Sequence, residues 1–361
     1  MEYTREINLL LEAAVYLGNR ANTYKTINME ERLKARNISD LEEFQEQYQP
    51  LKKLIQTMDR EIKIPKKSME KIFKEFPGFP FNSIGGYSPG FILLYPGEEP
   101  FDKDLDEFLH KKRTMNREEI YRNLLMAIDF KDEVKETDGG FADLFLKKVT
   151  EMDLQPEVKL GILQLQPRYE EYLEEMGKLL RPVLNFLQDH IDELNTIAEP
   201  FFQRLTNPES EAYVKETAGL TDDGKSEVEI IPLVLGPDTN VLVEPMGQDK
   251  GYVYAGVLRD LLKKLMYSKI MTADNAFDRV KLLGDRTRFD ILLLLRENDA
   301  YASELADQMQ LARNTIHHHM TRLIDADLVT PILDGNKVIY SLNKDRMGDL
   351  LDKLHTFLIG K

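Results

Sequence analysis

Two short helical patterns, separated by a tight turn and followed at once by an Asp-Gly hairpin signal, occupy residues 303–342 of this 361-residue chain. Ser303, Glu304, Leu305, Ala306 and Met309 read as a short helix with Ser303 at its N-cap, where a hydroxyl satisfies a free backbone N–H. Residues 310–312 make the turn. Residues 314–325 form the second helix, with Ile316, Met320, Leu323 and Ile324 on its apolar side. After Leu328 and Val329, residues 330–333 and 337–342 read as strands around Asp334-Gly335-Asn336, residue types that tolerate the positive φ of a tight hairpin. Upstream, Phe277, Val280, Leu282 and Leu283 open a helix that should stop near Gly284, and residues 291–295 lie on another.

Two short helices, a tight turn and a hairpin make a winged helix-turn-helix. An α-helix fits the major groove of B-DNA, and its polar face must offer hydrogen-bonding groups to base edges. The second helix offers Arg313, Asn314, Thr315, His317, His318 and Arg322, with no carboxylate between Arg313 and Arg322. The chain as a whole holds 63 Asp+Glu against 48 Lys+Arg, a net charge of −15, so a helix stretch free of acids is informative. Asn336 and Lys337 at the hairpin tip either grip a phosphate or serve a plain turn. The run His317–His318–His319 cannot chelate one ion, because consecutive helical residues point about 100° apart. His317 and His318 are therefore expected to face the groove.

These residues resemble the ArsR-type winged-helix transcriptional regulators. The resemblance is carried by GDRTRFDILLLL, SELADQMQLARNTIHHHMTRLIDADLV and GNKVIYSL, and it covers about 85 residues. Asp285, Thr287, Arg288, Ile291, Leu292, Glu304, Leu305, Ala306, Thr315, His319, Leu323, Leu328, Val329 and Tyr340 stand where the family's pattern has them. The resemblance implies that His319 packs inward. It also implies a homodimer, with the helices around 277–283 and 346–358 forming the subunit interface. Arg286 stands in place of the family's usual proline, and Ala312 in place of a serine that often caps the reading helix. The thiolate metal sites of that family cannot exist in a chain with no cysteine. Asp349, Asp352 and His355 share a helix face but lack the family's metal-binding spacing, so an ordinary solvated face is expected.

Charge divides the chain near residue 272. From Asp274 onward there are 12 Lys+Arg and 14 Asp+Glu, whereas the rest carries 36 and 49. Residues 268–275 read as a hinge between a helical domain over 1–271 and a winged domain over 272–361. In the first domain, Ile7, Leu10, Leu11, Ala14 and Leu17 give one helical stripe, and residues 168–187 give a wider one interrupted by Pro182, which predicts a kink or a boundary. Residues 76–101, rich in Pro, Gly and aromatics, read as loops around a short strand at 91–95, either core beneath a loop or the lining of a small-molecule pocket. Residues 227–254 read as a short antiparallel sheet, with Pro232 marking an edge or bulge.

The fold class expected is therefore mainly α with small β elements. GxGxxG after a strand, GxxxxGK[ST], HExxH and GxSxG are all missing, which argues against an enzyme. No run approaches the ~20 apolar residues of a membrane span, and charges within the first apolar stretch argue against a secretory signal, so a cytoplasmic protein without a membrane partner is expected. The expected function is a DNA-binding transcriptional regulator, a repressor, acting as a homodimer on a pseudo-palindromic operator in double-stranded DNA. The N-terminal domain would sense a small-molecule or peptide effector, and no cofactor is implied. The alternative is a winged helix that serves as a protein-interaction module in a larger assembly, which the local net charge of −2 permits.

Overall fold

The computed structural model describes residues 2–22, 29–30, 33, 42–77, 87–96, 100–128, 130–137, 139–152, 154–205, 227–243, 250–268, 273–311, 313–326, 328–334 and 337–360. The chain divides into two compact units, Met1–Met266 and Tyr267–Lys361.

The first unit opens with β1 (Glu2–Tyr3) and α1 (Leu9–Ala21), then α2 (Glu42–Glu61), α3 (Lys66–Phe73), α4 (Pro89–Leu94), α5 (Leu105–Thr114) and α6 (Arg117–Ala127). It continues through α7 (Lys131–Lys135), α8 (Phe141–Glu151), α9 (Pro156–Leu163), α10 (Tyr169–Asp189) and α11 (Ile191–Leu205). The strands β2 (Glu227–Leu233), β3 (Asn240–Val243) and β4 (Lys250–Gly256) follow, and α12 (Arg259–Ser268) ends the series.

Helix α1 is buried on nearly every side, a wider burial than its sequence stripe implies, and it packs against α10. The polar residues it takes inside are all used. Asn8 caps α1 by accepting the Leu11 N–H at 2.9 Å, and its amide donates to the carbonyls of Phe101 and Asp102. Glu12 accepts the N–H groups of Val234 and Leu235. Such pairing is what makes burial of a polar group tolerable. Pro182 lies inside α10, which runs through it, so the residue does not mark a helix boundary.

Residues 91–95 do not form the expected strand; Pro89–Leu94 is helical. Ser88 accepts the Phe91 N–H and Pro89 occupies the first turn, and this N-terminal signature outweighs the short apolar run. The described aromatics there join the core: Phe73 is fully buried and meets Phe91 edge-on at 5.9 Å. The rest of that aromatic region, residues 78–86 and 97–99, lies outside the described residues.

The sheet of the first unit runs in the order β1-β2-β4-β3. β3 and β4 are antiparallel, as expected, but β2 joins β4 in parallel, from Glu227 opposite Lys250 to Leu233 opposite Gly256. The sheet is therefore mixed. The turn after β2 is held by Glu12 of α1, and the chain crosses over before returning as β4 alongside β2 in place of a simple meander. β1 pairs with β2 only at Glu229 and Ile230, so Pro232 lies beyond the strand on that side, where a missing N–H costs least. At Gly256 an added Cβ would lie 2.6 Å from the carbonyl oxygens of Gly236 and Pro237, so only glycine lets the two backbones approach.

The second unit comprises α13 (Ala273–Leu283), α14 (Arg286–Glu297), β5 (Ala300–Tyr301), α15 (Ala302–Met309), α16 (Arg313–Asp325), β6 (Val329–Asp334), β7 (Lys337–Leu342) and α17 (Lys344–Ile359). Its core is Ile291, Leu295, Leu305, Ile316, Met320, Leu323, Leu328, Tyr340 and Leu350 with their neighbours. β6 and β7 form the hairpin, with Asp334 opposite Lys337, and the two-residue β5 extends the sheet beside β7. Among the described residues no helix is long and apolar enough to cross a membrane.

Candidate nucleic-acid interface

Helix α15 begins two residues before the sequence places it, with Tyr301 at the N-cap position. Ser303 is not the cap: the Glu304 carboxylate reaches back to accept the Tyr301 N–H at 2.8 Å, so the helix starts at Ala302 and Ser303 sits in its first turn. Gln310 ends the helix in the left-handed region, φ 55°, and the Leu311 N–H bonds the Ala306 carbonyl at 3.0 Å. That turn re-aims the chain into α16.

Ile316, Met320 and Leu323 are fully buried and anchor α16. Thr315, Thr321 and Arg322 are exposed on it. Thr321, which sequence reasoning passed over, lies next to Arg322 on that surface; the spacing from Ile316 was the available signal. Positions 314, 318 and 322 recur every four residues along the backbone, and positions 313 and 317 begin the parallel row. The side chains of Arg313, Asn314, His317, His318 and Lys337 lie outside the described atoms, as does all of Asn336.

A charged cluster ties α16 to the rest of the unit. Asp285 caps α14, accepting the Arg288 N–H at 3.0 Å. The nearly buried Arg288 donates from Nε to the Leu282 carbonyl at 2.7 Å, at the end of α13, and its Nη1 lies 3.5 Å from Asp285. His319 of α16 brings Nδ1 within 3.7 Å of Asp285 Oδ1. The Arg288 backbone N–H, helped by the charges of Arg288 and His319, holds the Asp285 carboxyl below its ordinary value. A second link runs from Arg279 Nε of α13 to the Ala326 carbonyl, just past α16, at 3.2 Å.

Helices α13 and α17 pack on each other and turn apolar side chains outward: Phe277, Val280, Leu351, Phe357, Leu358 and Ile359 are exposed. Asp349 pairs with Arg346 at 2.9 Å. Among the described residues no group of three His, Asp or Glu side chains is placed to hold a metal ion.

This is the architecture of a winged helix-turn-helix. A family model described as a helix-turn-helix domain matches residues 283–332. The arsenical resistance operon repressor of Staphylococcus aureus is 38% identical over 76 residues, 21% of this chain and 73% of that protein. Its Staphylococcus xylosus counterpart is also 38% identical, over 80 residues, 21% of this chain and 77% of the relative. The transcriptional repressor SdpR of Bacillus subtilis is 30% identical over 78 residues, 22% of this chain and 87% of that protein. No solved structure matches the chain. Through its C-terminal unit the chain belongs to the ArsR-type winged helix-turn-helix regulators, and it is a DNA-binding transcriptional regulator.

Proposed function

We propose that the protein is a repressor that binds a pseudo-palindromic operator as a homodimer, with α16 as the reading helix. The carboxylate-free stretch from Arg313 to Arg322, on a helix anchored by Ile316, Met320 and Leu323, is the observation that carries this reading. Arg313, Asn314, Thr315, His317, His318 and Arg322 would meet bases and phosphates of the major groove. Asn336 and Lys337 at the tip of the β6–β7 hairpin would meet the flanking backbone. The names of the relatives, all repressors, support the sign of regulation.

Dimerisation through α13 and α17 is supported by their outward apolar residues, which a solitary chain would leave in water. Two reading helices would then fall in successive major grooves, about 34–36 Å apart. The first unit, far larger than a handle needs to be, is assigned the sensing of a small-molecule or peptide effector. Such a ligand changes DNA affinity only by binding unequally to the two dimer geometries. The surplus of acids outside the winged unit disfavours non-specific attachment to DNA.

Selection of bound duplexes from a random pool by the purified protein, followed by affinity against salt, tests this. The expected result is an enriched inverted repeat with half-sites one helical turn apart and affinity that drops steeply with salt. A folded, dimeric protein that enriches nothing and whose associations ignore salt points instead to a protein-interaction module.

A further inference from the structure

We infer that Asp285, Arg288 and His319 form a relay that positions the reading helix, with His319 as the positioning residue whose charge sets how firmly α16 is held. This rests on the reading of α16 as the DNA-contacting helix. One step of the relay is a hydrogen bond at 2.7 Å and the other two are charge contacts at 3.5 and 3.7 Å. The end of α13 is gripped by Arg288, which lies against Asp285, and Asp285 faces His319 across the α14–α16 contact. The His319 side chain is mostly buried, at 13% exposure, and that of Asp285 is 35% exposed, so the pair is partly buried and is screened less than a fully exposed pair. Arg279, bonded to the Ala326 carbonyl, fastens the far end of α16 to the same helix α13. The proposed dimer helix thus holds the reading helix at two places, and only one of them can titrate near neutral pH.

Asp285 and Arg288 balance each other when the imidazole is neutral. Protonation adds a cation 3.7 Å from the Asp285 carboxylate, so acidification should tighten the α14–α16 contact. Other titratable and charged groups stand on the elements packed here. α16 itself carries Arg313, His317, His318 and Asp325 in its sequence and exposed Arg322 one turn on from His319, and α14 carries Arg286, bonded to Asp290. α15 carries Glu304, bound to the Tyr301 N–H, and exposed Asp307. On β6 the one titratable residue is Asp334, at its far end, and α13 presents backbone carbonyls to Arg288.

The test uses the full chain and three variants: His319→Gln, Asp285→Asn, and the double change His317→Gln with His318→Gln. Asp285→Asn guards against a folding failure in the first, because an Asn side chain still accepts the Arg288 N–H. Histidine NMR in the free protein should show His319 titrating at least about half a unit lower in Asp285→Asn than in wild type. Affinity for the pool-selected duplex should rise by about threefold or more from pH 8 to pH 6 in wild type. His319→Gln and Asp285→Asn should each lose most of that rise. Equal His319 titration with and without the Asp285 charge would overturn the relay. So would a pH dependence that survives His319→Gln and vanishes in the double variant, because groove-facing histidines would then account for it. A wild-type chain that binds no duplex would instead sink the regulator reading, and the positioning role with it.

Discussion

The Glu12 carboxylate, buried at the centre of the first unit, accepts the Val234 backbone N–H at 2.6 Å and closes the turn that follows β2. A second oxygen accepts from Leu235 at 2.7 Å. Burial pushes this carboxyl up to about 7, against the two N–H bonds that favour its charge. The folded state therefore binds a proton more tightly than the unfolded chain between pH ~4.5 and ~7. Stability contributed by Glu12 is present at pH 4.5 and is lost as pH rises to 7, by up to about 3 kcal/mol. Glu12→Gln should flatten that slope and destabilise the acid form by about 1–3 kcal/mol, since an amide NH2 cannot accept the second N–H. Urea unfolding of both proteins at pH 5 and 7.5 measures the difference directly.

Lys112 is the basic counterpart. It is nearly fully buried, donates to the Tyr95 carbonyl at 2.8 Å and lies over the Phe108 ring. Burial lowers its pKa to about 8. Below pH 8 the ammonium is charged in both states and the burial penalty is fully present; stability should climb from pH 8 to ~10.5 by up to about 3 kcal/mol. Lys112→Met should abolish the climb. A wild-type unfolding profile flat across that range would remove the claim that this amine is desolvated.

The two units were legible to different depths, for a physical reason. In the second, the helix, turn and hairpin signals are local: an Asp-Gly pair between β-rich runs fixes the register that sets Asp334 opposite Lys337. The misses there were small. Ser303 looked like a cap, but Glu304 could reach Tyr301, and a two-residue strand such as β5 has too short a pattern to detect. In the first unit β2 pairs in parallel with β4, and Glu12 holds the turn after β2 from more than 220 positions away, relationships that no local pattern encodes. The short apolar run at 91–95 reads as a strand on its own, and only Ser88-Pro89, a helix start, turns it into the helix observed.

Phe277 on α13 and Leu351 and Leu358 on α17 are exposed in the single chain, Phe277 at 60% and Leu358 at 79%. Changing them to Glu should therefore cost the fold little, while an apolar subunit interface would not accept the charges. Sedimentation equilibrium should show a wild-type dimer and a monomeric Phe277→Glu/Leu358→Glu chain, with the same helix content by circular dichroism and a melting temperature lower by no more than the lost association explains. A wild type that is monomeric at micromolar concentration would leave the exposed stripe without this role.

Met320 and Leu323 bury the inner face of α16 completely, so truncating either should loosen the helix without touching its outer surface. Leu323→Ala is expected to cost about 2–5 kcal/mol of the second unit's stability. Thr315→Ala, on the exposed side, should stay within about 0.5 kcal/mol. Equal effects in the two variants would mean that α16 is not oriented as described.

The outer surface is tested by binding. Arg313→Ala and His317→Ala should each cost about 1–3 kcal/mol of binding to the selected operator, with much smaller losses on unrelated duplex, because base contacts carry the sequence discrimination. Arg322→Ala and Lys337→Ala should weaken binding to all duplexes alike. If each residue neutralises one phosphate, each change should also reduce the slope of log affinity against log salt by about 1. The two patterns are separable in one titration series on specific and non-specific DNA at several salt concentrations. Operator affinity unchanged in both Arg313→Ala and His317→Ala would move the reading surface off α16, whatever the salt slope shows.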